Sequence, residues 1–169
     1  MSYSKQELDR LVQSVLQIAK DNLLKDGYVQ PVGLLFGTTG LRTIFPMKFS
    51  GLEGKRAIQA EFRALTLKTE ALAAVVVNES WFRTPTPEQP LDQARSVAEY
   101  ADRMECIIVE AVSPQAKALK ILIFDKSEDG QFRFGEPFEP EYPMSWKSEW
   151  LDGVWDQNEE GEDHGISSK

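Results

Sequence analysis

Seven consecutive apolar residues, Ala71, Leu72, Ala73, Ala74, Val75, Val76 and Val77, set the tightest limit on how this 169-residue chain can fold. A half-exposed strand alternates polar and apolar side chains. An unbroken apolar run of strand length suits a central strand covered on both faces. The chain therefore has to supply a cover for each side, and at this size it is long enough to do so, since such a domain buries roughly two thirds of its unfolded surface.

Two helical patterns are available as covers. Ser4-Lys5-Gln6-Glu7 forms a capping box, in which the serine hydroxyl and the glutamate carboxylate reciprocally satisfy exposed backbone donors at a helix start. Leu8, Leu11, Val12, Val15, Leu16, Ala19, Leu23 and Leu24 then recur at helical spacing until Gly27 supplies a stop, so a helix is expected over about residues 5–25. A second helix is expected over about residues 53–68. There Ala57, Ile58, Phe62 and Leu65 fall on one face, with Lys55, Arg56 and Arg63 on another.

The strand-forming stretches 29–36 and 41–45, joined by Gly37-Thr38-Thr39-Gly40, read as a hairpin. Residues 78–90 read as a surface loop, because Pro85, Pro87 and Pro90 interrupt ladder pairing. Pro90 opens a short third helix carrying Leu91, Ala94, Val97, Ala98 and Ala101. Strands over 104–112, 118–124 and 131–135 follow as an antiparallel meander, turned at Ser113-Pro114-Gln115 and at Ser127-Glu128-Asp129-Gly130. The order α-β-β-α-β-(α)-β-β-β predicts an α+β fold with one largely antiparallel sheet of about six strands, backed by two to three helices. Residues 1–155 are expected to form a single domain, with the tryptophan-rich stretch 136–155 packed on it.

Charge separates the end of the chain from the rest. Residues 1–135 hold 17 basic and 17 acidic side chains, so the net charge of −8 comes from residues 136–169. The same stretch carries Trp146, Trp150 and Trp155, three of the four tryptophans. Residues 156–169 combine high charge with almost no apolar residues, the composition of a disordered acidic tail. A pI near 4.8 opposes general nucleic-acid binding, which needs clustered Lys and Arg, and favours a partner with a basic surface. No apolar stretch approaches the ~20 residues that span a bilayer. No basic region followed by an apolar one opens the sequence, so the expected compartment is the cytoplasm.

Chemistry finds little material. Cys106 is the single cysteine and His164 the single histidine, which leaves no disulfide framework, no thiolate metal cluster and no nucleophile–histidine pair within one chain. No glycine pattern matches a dinucleotide or phosphate loop, and no cofactor is expected. Asp125, Ser127, Asp129, Gly130 and Glu136 reproduce the spacing of a calcium-binding EF-hand loop. Their flanks are β-rich, though, and Asp129-Gly130 favours a hairpin turn instead.

Glu79, Trp81 and Arg83 follow the apolar run abruptly, and Arg103 and Glu105 open the next strand. If those strands pair, a carboxylate acting as a general base beside an anion-binding arginine could form a small enzyme or ligand site. A salt-bridged sheet edge is the plainer alternative. The favoured expectation is a protein–protein interaction module rather than an enzyme. It would use Trp81, Trp146, Trp150 or Trp155 as anchors and the acidic C-terminal region to meet a basic partner, and two copies could pair through the sheet edge or the first helix.

Overall fold

The computed structural model describes residues 2–84, 86–88, 90, 92, 95–140, 148 and 150–155. Within them lie two helices, α1 (Lys5–Asp26) and α2 (Gly51–Lys68), and six strands: β1 (Val32–Gly37), β2 (Gly40–Pro46), β3 (Ala73–Phe82), β4 (Met104–Val112), β5 (Lys117–Lys126) and β6 (Phe132–Phe134). The strands form one antiparallel sheet in the order β2-β1-β3-β4-β5-β6, the α+β arrangement expected from the element order.

The capping box at the start of α1 is complete, and Gly27 closes the helix in a left-handed conformation at φ 82°. That conformation is easy for glycine and strained for other residues. The buried stripe of α1 (Leu8, Val12, Val15, Leu16, Ala19, Leu23) lies across β4 and β5 and reaches β3.

The apolar run occupies the middle of the sheet, with its side chains divided between two cores. Ala73, Val75 and Val77 point to α1, joining Ile107, Val109 and Ala111 of β4. Ala74 and Val76 point the other way, into a cluster built on Leu35, Met47, Phe62, Trp150 and Leu151. Each valine fully buried in this way contributes on the order of 1.5–3 kcal/mol. On the α2 side Gly33 is required by close approach: a Cβ there would sit 2.5 Å from Cε2 of Phe62, whose ring lies over β1.

Two local expectations are corrected. The stretch from Asn78 onward is not loop, because β3 continues to Phe82, with Asn78 opposite Ile108 and Phe82 opposite Met104. The first proline, Pro85, falls beyond the ladder, so pairing with β4 is unhindered up to that point. A third helix from Pro90 reduces, among the described residues, to a 3₁₀ turn at Val97–Glu99. Short segments of this kind are marginal as free helices. Here the turn is tied down by the residue that follows it, Tyr100, with the guanidinium groups of Arg83 and Arg95 at 4.0 and 4.3 Å from its ring. Leu91 and Ala94 lie outside the described residues. No described helix is long and apolar enough to cross a membrane.

Candidate functional site

Past Val77, the β3 side chains that continue the α1 face are Glu79 and Trp81, and there the helix has ended. Val29, two residues beyond Gly27, donates its N–H to Oε1 of Glu79 at 2.5 Å, so this carboxylate pins the connection between α1 and β1. Trp81 stands opposite Glu105 in the β3–β4 register. Its indole is 39% exposed and carries the Arg103 guanidinium 4.5 Å above the ring. Arg103 also donates from Nη1 to the carbonyl of Tyr100 at 3.2 Å, which fixes its direction. Glu79, Ser80, Trp81 and Glu105 line a shallow hollow of about 220 Å³. A larger one, about 530 Å³, opens beside it between Arg103, Glu105, Phe124, Lys126 and Arg133.

The four residues expected to make a carboxylate/arginine site divide. Glu79, Arg103 and Glu105 gather around Trp81. Arg83 does not join them: its side chain is only 2% exposed, and Nε donates to Oδ1 of Asp102 at 2.8 Å. An arginine held in an ion pair and stacked on Tyr100 is a structural strut rather than an anion receptor. Two carboxylates and one stacked arginine on an open shelf offer contact area and charge for recognition.

Cys106, on the opposite face of β4, is buried, and its thiol donates to the carbonyl of Ser80 at 3.5 Å. Burial pushes the thiol up to about 12, so it stays protonated and poorly nucleophilic at neutral pH.

The stretch resembling a calcium loop is a hairpin between β5 and β6, with strands on both sides in place of helices. Asp125 faces Arg133 across the ladder, and its two oxygens accept from Nε and Nη2, each at 2.9 Å. Asp129 accepts from the Ser127 hydroxyl and from the Gln131 N–H at 3.3 Å. Those two bonds, the hydroxyl first, hold its carboxyl below the usual aspartate value. Glu136 lies past the end of β6. Among the described residues no group of three or more His, Cys, Asp or Glu side chains is placed to share a metal ion.

The C-terminal tryptophans separate as well. Trp150 is 6% exposed and packs in the α2-side cluster with Leu151. Trp155 is half-buried beside them and donates Nε1–H to the carbonyl of Ala71 at 3.2 Å. Both serve the fold here, which removes them as exposed anchors. Trp146 and residues 156–169 lie outside the described residues.

One surface was missed from sequence. On β2, a sheet-edge strand, Leu41 and Ile44 are 51% and 61% exposed opposite Phe36 and Leu34, on the side of the sheet where α1 covers other strands. The apolar composition of this strand was visible, but its place at the edge was not. Set against known proteins, the chain matches no protein-family model, no curated protein and no solved structure.

Proposed function

We propose that this protein is a small cytoplasmic protein–protein interaction module that contacts its partner through the Trp81 shelf. The observation that carries this reading is the exposed Trp81 indole with Arg103 stacked on it, flanked by Glu79 and Glu105. Tryptophan and arginine dominate interface energetics, and a pair already held in place, Trp81 by strand pairing and Arg103 by its bond to the Tyr100 carbonyl, loses little freedom on binding. Glu79 and Glu105 beside it, with the acidic residues 156–169, favour a basic partner surface by speeding encounter. The exposed Leu41 and Ile44 of β2 are the natural place for two copies to meet, since they form an apolar patch on a sheet-edge strand.

The test is a comparison of partners retained from host lysate by the full chain, by Trp81→Ala, and by a chain ending at Trp155. Trp81→Ala should reduce the retained partner at least tenfold while the melting temperature stays close to that of the parent. Removing residues 156–169 should leave binding in place but flatten its dependence on salt. Unchanged retention by Trp81→Ala would overturn the reading.

A further inference from the structure

The turn that completes the α2 side of the core is held there in the way a bound peptide is held. Trp150 is its anchor, with its ring 5.8 Å from that of Phe49 and the Lys55 ammonium 5.7 Å above it. Leu151 follows into the cluster with Val76 and Val112 and is fully buried. Around this apolar centre runs a charged rim. Asp152 accepts from Lys117 Nζ at 2.8 Å, its carbonyl accepts from Arg63 Nη2 at 2.5 Å, and the Ser148 hydroxyl donates to Glu110. A desolvated aromatic and aliphatic pair inside a polar ring is the anatomy of a protein–protein interface.

The backbone of the turn is self-contained. Trp150 and Leu151 donate their N–H groups to Oγ of Ser148, Asp152 donates to the carbonyl of Ser148, and Val154 donates to that of Leu151. None of these bonds is made to the sheet, so no strand has to open when the turn lifts away, and a turn this short, once stripped of its packing, yields its amides to water.

The surface beneath it gives a second and independent sign. Glu110 sits mid-strand in β4, between Val76 and Leu119 in the register, on the face that the turn covers. Glu110 is half-buried and accepts from the Ser148 hydroxyl, so the sheet surface beneath the turn is polar enough to meet water when the turn lifts. Lys55, Arg63 and Lys117 surround the groove, and Asp152 of the turn lying in it meets two of them, so the charges are complementary.

We infer that the groove between α2 and the sheet is a recognition site for an acidic, tryptophan-bearing peptide segment of a partner protein, which Ser148 and residues 150–155 occupy in cis. The groove lies on the opposite face of the sheet from Trp81, so it stands or falls separately from the shelf. Displacement of the turn exposes the groove, and the partner segment supplies the same aromatic, aliphatic and acidic groups in the same order.

Two measurements on full-length protein decide it. In native-state hydrogen exchange, the amides of Trp150, Leu151 and Asp152 should exchange at least 100-fold faster than those of Val75 and Val76, by an opening insensitive to denaturant. Equal protection and equal denaturant dependence would make the turn an inseparable part of the core and overturn the proposal.

In the second, the full chain carrying Trp150→Ala with Leu151→Ala is titrated with a fluorescent peptide of residues 148–155. Saturable binding is expected, at least tenfold tighter than to the parent chain, whose own turn competes. It should fall at least tenfold when Trp150 of the peptide is replaced by alanine or when the protein carries Lys117→Glu. A folded double variant that shows no saturation overturns the proposal, and should that variant not fold, the exchange experiment on the parent chain decides alone. Light scattering of the concentrated parent chain serves as the third arm. A dimer abolished by Leu151→Asp would make a second copy the occupant and overturn the assignment to a partner protein.

Discussion

One sheet, two covers: the α1 face is closed by a single continuous 22-residue helix, whereas the α2 face is closed by an 18-residue helix together with a turn about eighty residues further along the chain. The helix α1 meets the sheet with one apolar stripe. The C-terminal turn meets it with two anchors and a ring of charged contacts. Equal burial need not mean equal permanence. Leu8 and Leu151 are both fully buried, but one belongs to a seam many residues long and the other to a patch with polar edges.

That matched pair provides the largest expected effect. Leu8→Ala should cost about 2–5 kcal/mol of global stability, as a leucine removed from a sealed core does. Leu151→Ala removes the same atoms, but its cost is capped by the free energy that holds the turn in place, because beyond that limit the turn simply detaches. Urea unfolding followed by circular dichroism should therefore show a clearly smaller loss for Leu151→Ala. Equal losses would merge the two covers into one cooperative unit.

This asymmetry also governs how much of the molecule was legible in the sequence. The helix α1 could be read almost to the residue, because its capping box, its periodic stripe and its terminal glycine are all local signals. The apolar run of β3 announced two covered faces for the same reason. What escaped was whatever depends on distant partners. The run Asn78-Glu79-Ser80-Trp81-Phe82 looks like the start of a loop until β4 pairs with it, and the register alone places Trp81 beside Glu105. Arg83 read as a ligand-binding group because sequence does not reveal Asp102 and Tyr100 waiting for it. For Trp150 the sequence left both packing on the domain and exposure as an anchor open, since its pocket is built by Phe49 and α2, about a hundred residues earlier.

At Gly33 the helical part of the α2-side cover can be disturbed without touching the turn. The missing Cβ leaves room for the Phe62 ring and for Cε of Met47, which would lie 2.5 and 2.7 Å from an added methyl. Met47 can swing aside, but the fully buried ring has little room to move. Gly33→Ala should therefore destabilise by about 1–3 kcal/mol, the usual cost of overpacking. If the turn is separable, the exchange rates of its amides should rise along with this loss only as far as α2 itself shifts. A neutral Gly33→Ala would mean that α2 rides loosely on β1 and that the whole α2 face, not the turn alone, is the weaker cover.

The smallest effect lies at the start of α1, where the permanent cover begins. Oγ of Ser4 accepts from the Glu7 N–H at 3.3 Å, and the Ser4 N–H donates to Oε2 of Glu7 at 2.8 Å. Ser4→Ala should cost about 1 kcal/mol, the usual value of an N-cap side chain. The backbone N–H of Ser4, and after it the Ser4 hydroxyl, hold the Glu7 carboxyl below its ordinary value of 4.5. A carboxyl with a lowered folded-state pKa contributes stability that is complete above its unfolded value and is lost as the pH falls through its folded value. Glu7→Gln, which keeps an acceptor but not the charge, should therefore melt below the parent at pH 7, and the two curves should converge once acid has protonated Glu7. Because α1 is bound into the sheet along its whole length, that convergence should appear in the global melt. The amides of residues 150–152 should register it no earlier than those of β3.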